Sequence, residues 1–201
     1  MIAGIFLAAG EGRRFGGGKL LHPVAGIPLY YMGLSQAAAS RLDEIRVVTG
    51  PETIDLERDI AERRFPGAAG ETRIHVDHNR DASRGMMSSL KTGLAAVDGR
   101  CDAAMVLLAD MPLITAIMIN ELIGVFEKNP SIVIPECAGR LRHPRVIPAR
   151  LFPEFMELAD DEKGTKIIDK YREKTVKVTV GNESNYIDID TPGDLDTLEQ
   201  Q

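Results

Sequence analysis

The sequence predicts an α/β protein built on a doubly wound, largely parallel sheet sandwiched between helices. Three observations predict it. Short apolar runs alternate with longer helical patterns through the first two-thirds of the chain. Two of those runs, Ile2–Ala8 and Ala103–Ala109, are apolar at nearly every position, as strands buried on both faces are. No repeat or long linker divides the 201 residues, a length that one core can serve.

Ile2–Ala8 is a buried strand that ends in the glycine-rich stretch beginning at Gly10. Leu29–Ser40 is a helix, and Glu44–Thr49 is a strand stopped by Gly50-Pro51. Pro51 can open the next helix, whose apolar positions are Ile54, Leu56, Ile60 and Phe65. Arg73–Asp77 is a third strand, Gly85–Val97 a helix and Ala103–Ala109 a fourth strand, the most apolar of all. Thr115 caps a helix that ends near Lys128. Beyond residue 130 the rhythm changes. Ser131–Pro135 and Arg145–Pro148 are strands, with Arg140–Arg142 as turn material. Leu151–Leu158 and Gly164–Tyr171 are helical, and Thr175–Val180 alternates as a strand. Tyr186–Ile189 is extended, and Pro192 opens a last helix. One domain over residues 1–201 follows, with chemistry expected outside the carboxyl ends of the strands.

Composition removes several function classes. The formal charge is −6, from 24 basic and 30 acidic side chains, which argues against a general nucleic-acid binder. The longest apolar runs are far too short to span a bilayer. The start, Met1 to Phe6, has no basic region, so neither a signal nor a transit peptide is read. Cys101 and Cys137 are too few for a disulfide framework and sit in apolar settings, as free buried thiols in a reducing cytoplasm would.

The most informative segment runs from Leu7 to Lys19. Its five glycines let backbone N–H groups approach an anion closely. Residues 9–28 carry three basic side chains and one acidic. A flexible surface loop is the plain reading, but position and local charge favour a polyphosphate. Neither common glycine motif fits. A dinucleotide fingerprint needs glycine where Phe15 stands and an acid where Thr49-Gly50 close the second strand. A P-loop needs glycine in place of Arg13 and Ser or Thr in place of Leu20.

The stretch Leu-Ala-Ala-Gly-x-Gly-x-Arg-x-x-x-x-Lys resembles the signature loop of nucleotidyltransferases that move a nucleotidyl group from an NTP onto a phosphorylated acceptor. With Pro23, Gly26 and Pro28 it is most similar to their molybdenum-cofactor branch. The resemblance continues at residues 85–90, at Leu108–Leu113, at His143-Pro144, at Gly164-Thr165-Lys166 and at Asp188-Ile189-Asp190-Thr191-Pro192, in the family's order. It implies a Rossmann-like fold of the nucleotide-diphospho-sugar transferase type. It also implies a nucleotide-binding part over about 1–130 and an acceptor-binding part over about 131–185. Guanylyltransferase members typically begin Leu-Ala-Gly-Gly. This chain has Ala9, as cytidylyltransferase members do, which favours CTP.

Asp110 follows an apolar strand and precedes Met111-Pro112, so it stands at the strand's carboxyl end. It could cap the turn there. The alternative is that it faces the phosphates, where only a bridging cation makes a carboxylate favourable, and Mg²⁺ is usually held by one or two carboxylates plus phosphate oxygens. The resemblance makes Asp110 a metal ligand and Asp190 the second. Residues 186–201 hold five acids and no base. Asp194 and Asp196 read as a helix start, and Asp188, two residues from Asp190, stands behind the ligands or substitutes for one. Lys19 and Arg14, by resemblance, stabilise the triphosphate and the departing pyrophosphate, with Arg13 an outward neighbour. Catalytic roles thus fall to Lys19, Arg14 and Asp110.

The resemblance assigns nucleotide binding to Leu7, Ala8, Ala9, Gly10, Gly12, Arg14 and Lys19, and to Asn79, Gly85 and Ser88 in the loop after the third strand. Met86, Met87 and Leu90 read as core packing, and Met87 departs from the family's usual Ser. Arg140, Arg142, His143 and Arg145 form a basic cluster, and Lys163 and Lys166 flank Gly164. They fall where the family receives a phosphorylated pterin, so His143, Arg145 and Lys166 are the acceptor candidates. His143 either orients the acceptor or bonds its own loop, and it follows Arg142 where the family often has Gly. His75 and His78 read as structural.

The resulting expectation is a cytoplasmic, Mg²⁺-dependent cytidylyltransferase that joins CMP to a molybdopterin-type cofactor. A molybdoenzyme or its chaperone would receive the product, and neither nucleic acid nor membrane would be a partner. The rivals are guanylyl transfer, a sugar or sugar-acid phosphate acceptor, and a non-catalytic nucleotide-binding module.

Overall fold

The computed structural model describes residues 1–65, 73–181 and 183–199. Strand β1 (Ile2–Leu7) leads into the glycine loop, followed by a small hairpin of β2 (Pro23–Val24) and β3 (Ile27–Pro28) that the sequence did not announce. Then come helix α1 (Leu29–Ala38), β4 (Glu44–Thr49), α2 (Ile54–Glu62), β5 (Arg73–His78), α3 (Met86–Ala96), β6 (Ala103–Leu108) and α4 (Ala116–Lys128). The remainder is β7 (Val133–Cys137), β8 (Arg140–Leu141), β9 (Arg145–Pro148), α5 (Phe152–Glu157), α6 (Thr165–Lys170), β10 (Val176–Thr179) and α7 (Pro192–Glu199).

The main sheet runs β10-β7-β9-β6-β1-β4-β5, with β8 paired to β7. Pairs β1/β4, β1/β6, β4/β5 and β7/β10 are parallel, while β9 lies antiparallel between β6 and β7. Burial follows position. Central β1 and β6 are buried along nearly their whole length, whereas edge strands β5 and β10 are largely exposed. Successive strand residues point to opposite faces. Phe6 and Met105 therefore join a core with α1, α2 and α4, while Ile5 and Val106 join one with α3, α5 and α6. Burying each of these large side chains stabilises the fold by about 1.5–3 kcal/mol. The two cysteines are free and buried, and burial pushes the Cys101 thiol up to about 11. Among the described residues no helix is long and apolar enough to cross a membrane.

Two local expectations are corrected. Tyr186–Ile189 is not extended throughout: Glu183–Tyr186 forms a 3₁₀ turn and 187–190 has no regular structure. The Ile189 N–H goes to the Asp110 carbonyl, a single bond and not a strand ladder. The Arg140–Arg142 turn contains β8, because Glu136 and Cys137 supply a free strand edge. Thr115 caps α4 as expected, its side chain accepting from the Met118 N–H at 3.3 Å.

Helix α3 packs close to the sheet because Gly93 faces it. A Cβ there would lie 2.5 Å from Ile5 Cγ2 and 3.2 Å from Val48 Cγ2. Gly93→Val should lower stability by about 1–3 kcal/mol through overpacking, read as a fall in Tm of about 2–4 °C per kcal/mol.

Candidate active site

Two parallel neighbours bring the first loop and Asp110 together. Leu7 pairs with Leu108 in register, so both chains leave the sheet at one edge. Ala109 N–H donates to the Leu7 carbonyl at 3.1 Å, holding Asp110 beside the loop. In that loop Gly12, Gly16, Gly17 and Gly18 all take positive φ, a backbone that side chains resist.

A cavity of about 420 Å³ opens at this edge. Leu7, Ala8, Ala9, Gly10, Gly12, Lys19, Gly85 and Asp110 line it, as do Arg13 and Ser89. Of these, Lys19 and Asp110 are joined by Asp190 and Arg14 in one ion-paired array. Lys19 Nζ is 2.8 Å from Asp110 Oδ2 and 3.7 Å from Asp190 Oδ1. The Arg14 guanidinium is 3.0 Å from Asp190 Oδ2. The Lys19 side chain is only 9% exposed, against 25% and 32% for the two acids, so the ammonium lies inside and the carboxylates remain open to ligands. Ile189 N–H donates to the Asp110 carbonyl at 2.9 Å, tying the two acid-bearing segments together. Ile189 is itself buried against Leu29, Val24 and Leu195.

Asp190 is further fixed from behind. Asp194 Oδ2 accepts from the N–H groups of Asp190 and Thr191 and from the Thr191 hydroxyl at 2.7–2.9 Å. Backbone donation from Thr191 and Asp190 holds the Asp194 carboxyl below the usual range. Asp188 is exposed and makes no ion pair among the described residues. The side chain of Asp196 lies outside the described residues.

Other candidates stand differently from the expectation. Asn79 and Ser88 are buried and bonded to each other at 2.8 Å. Asn79 also donates to the Ser89 hydroxyl, and the Ser88 hydroxyl donates to the Asp81 and Gly85 carbonyls. They brace the loop from inside, and neither faces the cavity. Ser89, one residue on, does. Arg14 is 74% exposed and reaches the site only through Asp190. Arg13, expected outward, is exposed yet lines the cavity while paired with Glu11. Met86, expected in the core, is exposed and lines this cavity and the next; as the first residue of α3 it stands at the helix's open end, ahead of the buried Met87 and Leu90.

A second cavity of about 360 Å³ shares Leu7, Gly85 and Met86 with the first. Its walls are mostly apolar, from Leu90, Val106, Ile147, Phe155 and Ile168, with His143, Arg145, Lys163 and Thr165 among them. Lys166 is not brought here: its ammonium pairs with Glu162 at 2.6 Å on the surface. Burial, with the Arg145 charge beside it, pushes His143 down to about 3. Its Nδ1 faces the Val106 carbonyl at 3.4 Å. A carbonyl only accepts, so Nδ1 carries the proton and Nε2 is a bare acceptor. Arg145, its pKa lowered by burial, donates from Nε to the Arg142 carbonyl and has no carboxylate partner among the described residues. Arg142 is spent on Glu183.

The sequence reading missed Asp160. It accepts from Lys91 Nζ at 2.9 Å and lies 3.5 Å from the Arg84 guanidinium, clamping the loop before α6 onto the turn before α3. Its carbonyl fills the space a side chain at Gly85 would need, 2.7 Å from an ideal Cβ. No spacing signal marks a contact between residues so distant in sequence.

A glycine loop carrying an interior lysine, beside an aspartate that closes the neighbouring parallel strand, is the arrangement of a nucleotidyltransferase. The chain belongs to the MobA-like NTP transferase domain family, whose profile matches residues 4–176. It is 29% identical over 199 residues to the purine catabolism protein PucB of Bacillus subtilis, covering 98% of this chain and 95% of that protein. It is 28% identical over 204 residues to a probable molybdenum cofactor guanylyltransferase of Thermococcus kodakarensis, covering 97% and 92%. Among solved structures, Rv0371c of Mycobacterium tuberculosis H37Rv superposes with a TM-score of 0.81 at 25% identity, covering 100% of this chain and 97% of that one. The manganese complex of that protein gives 0.77 at 23% identity, with coverage of 100% and 98%.

His143 sets a pH dependence. Its folded pKa lies below the ordinary value, so the unfolded chain takes the proton first and stability falls as pH drops from about 6.5 towards 3. His143→Gln should flatten that limb by up to about 1.4 kcal/mol per pH unit, measured by urea unfolding at about pH 7 and about pH 4.5.

Proposed function

We propose that this chain is a divalent-cation-dependent cytidylyltransferase, transferring CMP from CTP to a phosphorylated, molybdopterin-type acceptor and releasing pyrophosphate. The observation that carries the reading is the convergence of Lys19, Asp110 and Asp190 beside the glycine loop. A binding module would need the loop and its cations. It would not need two partly exposed acids on segments tied to each other.

In this reading the triphosphate lies along the backbone amides of Gly10 and Gly12, with Lys19 and Arg14 offsetting its charge. Nucleotide binding by Leu7, Ala8, Ala9 and Gly85 is then wall contact. Asn79 and Ser88 act by holding the turn. The donor set suits a hard cation, since two carboxylates plus phosphate oxygens and waters complete its shell. Asp110 and Asp190 would hold Mg²⁺, which when bound neutralises phosphate charge and polarises the α-phosphorus. An oxygen of the acceptor phosphate attacks the α-phosphorus in line, the bond to the β-phosphate bridging oxygen breaks, and pyrophosphate leaves. The acceptor is already anionic, so catalysis is positioning plus charge neutralisation.

The second cavity suits the acceptor body. Arg145 offers donors, His143 an acceptor, and the apolar walls a place for a flat ring; Lys166 is left out of this reading. One domain over 1–201, a nucleotide part over about 1–130 and an acceptor part over about 131–185 fit the two cavities. The buried free thiols suit a reducing cytoplasm, and a molybdoenzyme or its chaperone suits as recipient.

A second reading, guanylyl transfer, is favoured by the name of the Thermococcus relative. Ala9 in the loop favours CTP. In a thermal-shift comparison of the four NTPs with Mg²⁺, CTP should raise Tm most, because stabilisation grows as RT ln(1 + [L]/Kd); a larger shift with GTP selects the second reading. Lys19→Ala should lower turnover by about 2–4 kcal/mol of barrier, roughly 30- to 1,000-fold, and Asp190→Asn should abolish most of the cation-dependent rate. Pyrophosphate release is the readout, and a change under about threefold in either variant overturns its assigned role.

A further inference from the structure

The first cavity has two unlike ends. Lys19, Asp110 and the glycines of the first loop make one, while Ala82, Ser83 and Ser89, small and uncharged, line the other. A triphosphate at the charged end leaves its base for the small residues, in a slot bounded by Ala9 of the first loop and Ala82 of the turn after β5. The last residues of β4 anchor both segments: Ala8 N–H donates to the Val48 carbonyl at 2.8 Å, and Asn79 N–H to the Thr49 carbonyl at 2.9 Å. The buried Gly50 comes next. A Cβ there would lie 2.9 Å from Ala82 Cβ and 3.2 Å from both the Cβ and the carbonyl oxygen of Ala9. The backbone of Gly50 is extended, with φ −143°, a conformation open to any residue. Close neighbours, not backbone strain, exclude a side chain. The Thr53 hydroxyl accepts from Gly50 N–H at 2.8 Å and donates to its carbonyl at 3.2 Å, holding it in place.

We infer that the meeting of Gly50, Ala9 and Ala82 is a spacer that sets the width of the base slot, and that Gly50 and Ala82 are positioning residues for base choice. They hold the two segments at a separation that favours a single ring over a fused pair. The inference rests on the CTP reading proposed above and deepens it: ring size, read as the spacing of two segments, selects the nucleotide. The direction of the effect follows from what each side is built on. Ala9 continues a central strand that the sheet fixes through Ala8, whereas Ala82 begins a 3₁₀ turn. A methyl group at position 50 wedges between them, and the turn is the side that yields. The slot widens.

The test is calorimetric titration of the full chain with each of the four NTPs and Mg²⁺, which requires neither acceptor nor turnover. Wild-type protein should bind CTP more tightly than GTP and UTP more tightly than ATP. Gly50→Ala should move both ratios towards the purine by at least about tenfold, a discrimination that one methyl group carries in a fitted pocket. Gly50→Ala combined with Ala82→Gly should bring both ratios back to within about threefold of wild type, because the second change removes the methyl group that the first one meets. CTP over GTP but ATP over UTP in wild type overturns the inference, leaves the base reading standing and needs no variant to fold. Unchanged ratios in Gly50→Ala, with all four affinities falling together, mark a merely structural residue and overturn it too. So does a shift in the CTP–GTP pair alone, which means that the base edge is read and not the ring. GTP over CTP in wild type overturns the base reading, and the inference with it.

Discussion

Everything at the crevice depends on the in-register parallel pairing of β1 with β6. Because Leu7 stands opposite Leu108, the chain leaves both strands at the same height. A cation-bearing loop and a carboxylate separated by some ninety residues therefore meet within hydrogen-bond distance. An antiparallel pairing would send Asp110 to the opposite edge. The Ile189–Asp110 backbone bond then recruits a third segment to the same point. The charge array follows from strand direction first and side-chain chemistry second.

The parts of the fold that were legible in sequence are those where local pattern and tertiary burial agree. β1, β4 and β6 are central, and their apolar runs predict them to within a residue or two. Asp110 was legible because Pro112 stops the strand. Three features were not. Asn79 and Ser88 carry residue types suited to ligand contact, yet the hydroxyls and the amide satisfy one another inside the turn. Lys166 sits in a matching motif, but a carboxylate one helical turn earlier takes its ammonium. Asp160 is invisible to spacing because its partners, Arg84 before α3 and Lys91 on it, stand about seventy residues away. The choice between internal and external hydrogen bonds is made by packing, which no local pattern encodes.

The second cavity owes its character to β9. As an antiparallel strand inserted between β6 and β7, it opposes Arg145 to Val106 and places a guanidinium in a mostly apolar cavity whose far end carries Asp160, Asp161, Glu162 and Lys163. A buried cation without an acid is costly unless something else completes it. His143 next to it stays neutral, so the wall presents one donor group and one acceptor side by side. Such a surface favours a ligand edge with both functions over a simple anion or hydrocarbon.

Gly85 and Met86 belong to both chambers, and the loop clamped by Asp160 closes directly over them. Leu7, Gly85 and Met86 thus form a shared sill between the chambers. The ion pairs of Asp160 with Lys91 and Arg84 fasten that sill from the side of the second chamber.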